Sequence, residues 1–163
     1  MGAQLGTMGR SDHQPQSVSN IDDRSRFVRK RVAADPRSAA RARAEFGSWL
    51  ETHFTLDADR FSDVLLAVNE AIANAAQFAY CDASQCGTLD VSAAYDRQSD
   101  TLAVAVDDRG RWRQKVPTQH HQQLRGRGIP LMEALADEVT IDLTPHGTRV
   151  TLTWADLTRR SDT

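Results

Sequence analysis

Val68-Asn69-Glu70-Ala71-Ile72-Ala73-Asn74-Ala75 is the stretch on which the reading of this chain turns. It lies inside the clearest apolar stripe of the sequence: Phe61, Val64, Leu65, Val68, Ile72 and Ala75 recur at the spacing of one buried helix face. A helix is therefore expected from near Asp57 or Asp59 to about residue 79. Glu70 and Asn74, four residues apart within it, put a carboxylate and an amide oxygen on one side, away from the Val64, Val68 and Ile72 stripe. Oxygens so placed suit a hard cation such as Mg2+, which takes few protein ligands and completes its shell with water and phosphate. The same spacing also fits a solvated helix face.

Working outward, residues 26–34 read as a short strand whose alternation is interrupted by Arg and Lys. Asp35-Pro36 then offers a capping carboxylate and a proline whose missing N–H is harmless at the first helical position. Ala39, Ala42, Phe46 and Leu50 follow at helical spacing and define a first helix. On the other side of the long helix, residues 89–95 and 101–106 read as a hairpin turning at 96–100. A short helix is expected from Gly128-Ile129-Pro130 to about Ala136, and strands at 138–143 and 148–154 around the turn-forming Pro145-His146-Gly147. Helices collected on one face of a mostly antiparallel sheet give an α+β fold, a two-layer α/β sandwich.

A chain of 163 residues is the size of one domain, and 40% hydrophobic with 26% charged residues is an ordinary globular composition. A formal net charge of -2 gives no global attraction to nucleic acid or to an anionic membrane. No apolar run approaches the roughly 20 residues of a membrane span, and the N-terminus has no apolar signal core. A cytoplasmic location is the expectation. Cys81 and Cys86 form a lone C-x4-C without a second ligand pair for zinc, and read as reduced thiols. Residues 1–20, rich in Gly, Ser, Gln and Asp, read as a flexible tail, residues 21–157 as the folded domain, and residues 158–163 as a frayed end.

Two further stretches carry polar chemistry. Asp107-Asp108-Arg109-Gly110-Arg111-Trp112 ends a buried strand with an Asp able to accept from a ligand amine and a Gly that permits close approach; it also fits a plain β-turn. Arg125-Gly126-Arg127-Gly128 leads into a helix start, where free N–H groups and the helix dipole favour phosphate. From Arg109 through Met132 there are Arg109, Arg111, Arg113, Lys115, Arg125 and Arg127 and no Asp or Glu. So cationic a segment in an acidic chain favours a polyanion, although a solvated basic loop has the same composition.

Helix E-x-x-x-N, strand-end D-x-G and G-x-G before a helix, in this order, resemble the GHKL (Bergerat) ATPase superfamily of gyrase, histidine kinases and MutL-type repair proteins. Within it the chain is most similar to the bacterial anti-sigma factor serine/threonine kinases. Residues 68–75 look like the N box, 106–112 the first glycine box, 125–132 the second, and Gly147-Thr148 the closing Gly-Thr. The likeness covers about residues 26–154. It implies ATP and Mg2+ as cofactors, with Asn74 the Mg2+ ligand and Glu70 the base that activates the attacking hydroxyl. It further implies Asp108 on the adenine amino group with Gly110 and Thr148 nearby, and Arg125, Gly126, Arg127 and Gly128 flanking the phosphates. The implied partners are a sigma factor and an anti-anti-sigma protein whose serine is phosphorylated.

This sequence departs from the family pattern in three places. Trp112 stands where many members have a second glycine, Phe78 where the N box often carries His, and residues 113–124, with His120 and His121, match a glycine-rich lid poorly. These departures keep open an alternative, a GHKL-fold anti-sigma or partner-switching binding module with weak or no ATP turnover. The detached ATPase domain of a histidine kinase fits less well, because no helix bearing a phospho-acceptor His precedes the domain. Relatives of this type are often homodimers, for which the apolar residues of the first helix and first strand offer a surface.

Overall fold

A computed structural model describes residues 21–79, 87–109, 128–145 and 147–161. Asp35 caps the first helix as its sequence context requires: its carboxylate accepts the Ser38 N–H at 2.8 Å, and Pro36 sits in the first turn. This helix, α1, spans Pro36–His53. Asp57 caps the second in the same way, accepting the Arg60 N–H at 2.7 Å, and α2 runs over Ala58–Ala79. A third, α3, covers Gly128–Leu135.

The strands are β1 (Ile21–Asp23), β2 (Arg26–Ala33), β3 (Thr88–Asp96), β4 (Thr101–Arg109), β5 (Glu138–Thr144) and β6 (Gly147–Trp154). They form one six-stranded sheet in the order β1-β2-β3-β4-β6-β5, every neighbouring pair antiparallel. The fold is α+β, a sheet with its helices packed on one face. Alternation decides which face is covered: Leu89, Val91 and Ala93 on β3, Leu102, Val104 and Val106 on β4, and Val150, Leu152 and Trp154 on β6 are buried against the helices. Residues between them, such as Ala94 and Thr151, lie at least partly in solvent.

Phe27, Phe46, Trp49, Phe54 and Tyr95 make a chain of ring contacts that fastens α1 to the sheet, with centroids 5.2 to 5.9 Å apart. Ala39, Ala42, Phe46, Trp49 and Leu50, the apolar stripe of α1, are thus consumed inside the chain, with Phe46 and Leu50 fully buried. This corrects the expectation that they supply a dimer surface. Residues 158–160 also differ from the expected frayed end. Thr55 N–H donates to the Thr158 carbonyl, Arg160 N–H to the His53 carbonyl, and Phe54 bridges Arg159. Nearby, the Tyr95 hydroxyl lies 2.7 Å from Asp100 Oδ1 and 2.8 Å from the Leu157 carbonyl.

The molecule consequently has two poles. One gathers the β3–β4 turn, the end of α1, the start of α2 and the C-terminal segment. The other gathers the last residues of β4 and β5, the first of β6, the start of α3 and the second half of α2.

Candidate functional site

At that second pole three polar side chains meet. Alternation along β4 sends Asp108 to the helix side, and along β6 it sends Thr148 there; both are only 4% exposed. The β4–β6 ladder ends with Asp107 opposite Arg149, so the next position in the same register sets Asp108 against Thr148. α2 lays Asn74 over them, and Asn74, Asp108 and Thr148 line one crevice whose apolar walls include Val106, Ile129 and Met132. A flat apolar slot with a carboxylate at its end matches a heteroaromatic ring bearing an amino group. The crevice holds about 10 Å³ of open space, so it is the floor of a site and not room for a whole ring.

Two glycines shape this floor by what they lack. A Cβ on Gly128 would lie 2.6 Å from Asn74 Nδ2 and 3.2 Å from its Oδ1, so the start of α3 and the Asn74 amide touch only because residue 128 has no side chain. A Cβ on Gly147 would collide with the Asp108 carbonyl oxygen and lie 3.3 Å from Asp108 Oδ1. In both cases the absent methyl is the space that the neighbouring polar group occupies.

Glu70 stands one turn before Asn74 on α2, half-buried; it does not line the crevice and forms no ion pair among the described residues. Asn74, Asp108, Thr148 and Gly128 are therefore brought together, with Glu70 beside them. Gly110, Arg125, Gly126 and Arg127 lie outside the described residues, as do Trp112, His120, His121, Cys81, Cys86 and the tail 1–20, and the side chain of Phe78 is likewise not described. Ile129, Met132 and Ile141 are wall residues that the sequence reading did not single out. Strand alternation held the signal for Ile141, which pairs with Val150 on the covered face.

On the opposite face, which carries no helix among the described residues, the Arg149 guanidinium holds Asp107 through two bonds, Nε to Oδ1 at 2.6 Å and Nη2 to Oδ2 at 3.0 Å. The hydrogen bond to Asp107, its charge, and more weakly the charge of Asp142 on β5 keep the guanidinium protonated even beyond its ordinary range. This pair lines a cavity of about 630 Å³ that also reaches Asp108, Gly147 and Thr148.

The profile of the histidine kinase-like ATPase domain matches residues 32–154. Among solved structures, the RsbU and RsbW domains of Rv1364c from Mycobacterium tuberculosis superpose with a TM-score of 0.60 at 25% identity, over 83% of this chain and 33% of that one. This chain thus spans about a third of that chain's length. The histidine kinase domain of the blue-light activated histidine kinase EL346 from Erythrobacter litoralis superposes with a TM-score of 0.50 at 18% identity, over 72% and 59% of the two chains, a likeness of fold.

Proposed function

The chain belongs to the histidine kinase-like ATPase domain family, and from that premise we propose that it is an ATP-dependent anti-sigma factor that sequesters a sigma factor and phosphorylates a serine of an anti-anti-sigma partner. The observation that carries the reading is the convergence of Asn74, Asp108 and Thr148 on one crevice, with Gly128 pressed against the Asn74 amide. The similarity to a chain containing an RsbW domain supports the partner-switching part of it.

The residues fit the chemistry. Asp108, buried and ending an apolar slot, would accept from the adenine amino group, with Thr148 beside it. Asn74 Oδ1 would hold Mg2+, which when bound supplies neutralisation of the triphosphate charge. The N-terminus of α3 meets the Asn74 amide at Gly128, and the N–H groups of its first turn would take up phosphate oxygens. Glu70 would draw the proton from the attacking serine hydroxyl as its oxygen bonds to the γ-phosphorus and ADP leaves.

Magnesium-dependent transfer from ATP to a serine of the anti-anti-sigma partner is the expected activity, and Glu70→Ala or Asn74→Ala should each lower it at least about 100-fold with the melting temperature retained. Transfer unchanged in both variants overturns the site assignment. A second reading, a partner-binding module without turnover, is favoured by the narrowness of the crevice. Calorimetric titration with ATP, with and without Mg2+, separates the two, because a chain that binds no nucleotide cannot be the kinase.

A further inference from the structure

Strand alternation sends every second residue to the face of the sheet that carries no helix among the described residues, and the registers line these residues up in rows running from β2 to β5. One row begins at Arg26, passes through Ala94, Ala103 and Thr153, and ends at Glu138. The next begins at Val28, passes through Ser92, Ala105 and Thr151, and ends at Thr140. A third begins at Lys30, whose ammonium lies 3.5 Å from Asp90, and continues through Asp107 and Arg149 to Asp142.

The middle of this face is small and uncharged. Alanine contributes little to a strand that meets only water, yet Ala94, Ala103 and Ala105 occupy adjacent outward positions on the two central strands, all at least partly exposed. Side chains this short leave a plane on which a second sheet can lie at the usual separation of about 10 Å. The rim is charged, and its sign has a direction. Both cationic ends, Arg26 and Lys30, are on β2, and both anionic ends, Glu138 and Asp142, are on β5. Arg26, Glu138 and Asp142 enter no ion pair among the described residues.

A face with opposite charges at its two ends complements itself. Set two copies face to face about a two-fold axis lying along β4, the middle strand of these five, and the β2 end of each lies over the β5 end of the other. Arg26 then meets Glu138 of the second copy, and Lys30 meets its Asp142. Half-exposed Arg149 comes over the second copy's Asp90. The two Asp107 carboxylates approach each other at the axis, but each is already held by its own Arg149 through two bonds. Alanine meets alanine along the remainder of the axis.

We infer that this face docks a second copy of the chain, the two sheets packed against each other about that axis. The helical layers, and the Asn74 crevices beneath them, face outward in such a dimer, so it stands or falls separately from the reading of the crevice.

The experiment is sedimentation equilibrium of the whole chain, wild type and variants, with circular dichroism to check folding. The wild type should be a dimer at about 10 μM. Ala105→Arg should be a folded monomer, since the axis sets its two bulky cations against each other. Arg26→Glu and Glu138→Arg should each weaken the dimer about 10-fold. Mixing these two variants in equal amounts should return association to within about threefold of wild type, because unlike charges again meet at both ends. A wild type still monomeric at about 100 μM overturns the inference and leaves the face to a different occupant. A dimer that survives Ala105→Arg overturns it too, because another surface then joins the copies. If Ala105→Arg does not fold, the charge variants decide. Recovery on mixing supports the face-to-face arrangement; single variants that associate like wild type, or a mixture as weak as its components, overturn it.

Discussion

Gly128 and Gly147 both abut the slot, yet alanine should act on them differently. No described glycine has a positive φ, so the requirement at each is room and not backbone rotation. At Gly128 the obstacle is the end of a side chain, Asn74, which can swing aside, and alanine is the better helix former. Gly128→Ala should therefore melt at or above the wild-type temperature while losing phosphate transfer. At Gly147 the obstacle is the Asp108 backbone, which cannot move without parting β4 from β6. Gly147→Ala should lose about 3 kcal/mol or more in urea unfolding, and nucleotide binding with it. The sequence marked both glycines through their place in ordered motifs, Gly128 at a helix start and Gly147 in a turn. The contact of Gly128 with Asn74 joins residues 54 positions apart, and nothing local announces it.

Helix α1 and strand β2 show at the next scale what a linear pattern reveals and hides. The cap at Asp35, the proline after it and the stripe of Ala39, Ala42, Phe46 and Leu50 were all visible, because capping and periodicity are local. Strand β2 alternates poorly because its pairing with β3 slips between Arg29 and Val32, where Arg31 takes a φ of 54° and donates its N–H to buried Asp90 at 2.8 Å. Strand β1 is three residues long and has no period to detect. A testable link joins β2 to α1: the hydrogen bond from Arg29, helped by Arg41, holds the Glu45 carboxyl below its usual range. A depressed folded pKa means stability that is complete above the unfolded value and is lost as pH falls through the folded one. The urea midpoint should hold steady from neutral pH to about 5.5 and decline below about 4. Glu45→Gln should lower it at neutral pH and flatten part of that acid decline.

Across the whole molecule, the pole opposite the slot is closed by Tyr95. Burial first, then the hydrogen bond and charge of Asp100, push its hydroxyl up to about 12. For an acid raised in the folded state, the stabilising share is intact below the unfolded value near 10 and disappears as pH climbs through the folded one. Alkaline unfolding of the wild type should thus begin above about pH 10, and Tyr95→Phe should remove that component while lowering stability at pH 7 by about 1 kcal/mol. The fold class and the strand count apart from β1 were legible because they follow from periods of two and of 3.6 residues, whereas Thr148 was singled out only through the resemblance. The division into poles was not legible, since it arises from contacts such as Arg60 with Asp137 and the Ala155 carbonyl, far apart along the chain. Because residues 157–160 are fastened beside Tyr95, a fluorescent reporter attached to the exposed Arg160 side chain sits on the side remote from the slot. The reversal at Pro145, by contrast, is the wrong place for any insertion, since lengthening it pulls directly on Gly147.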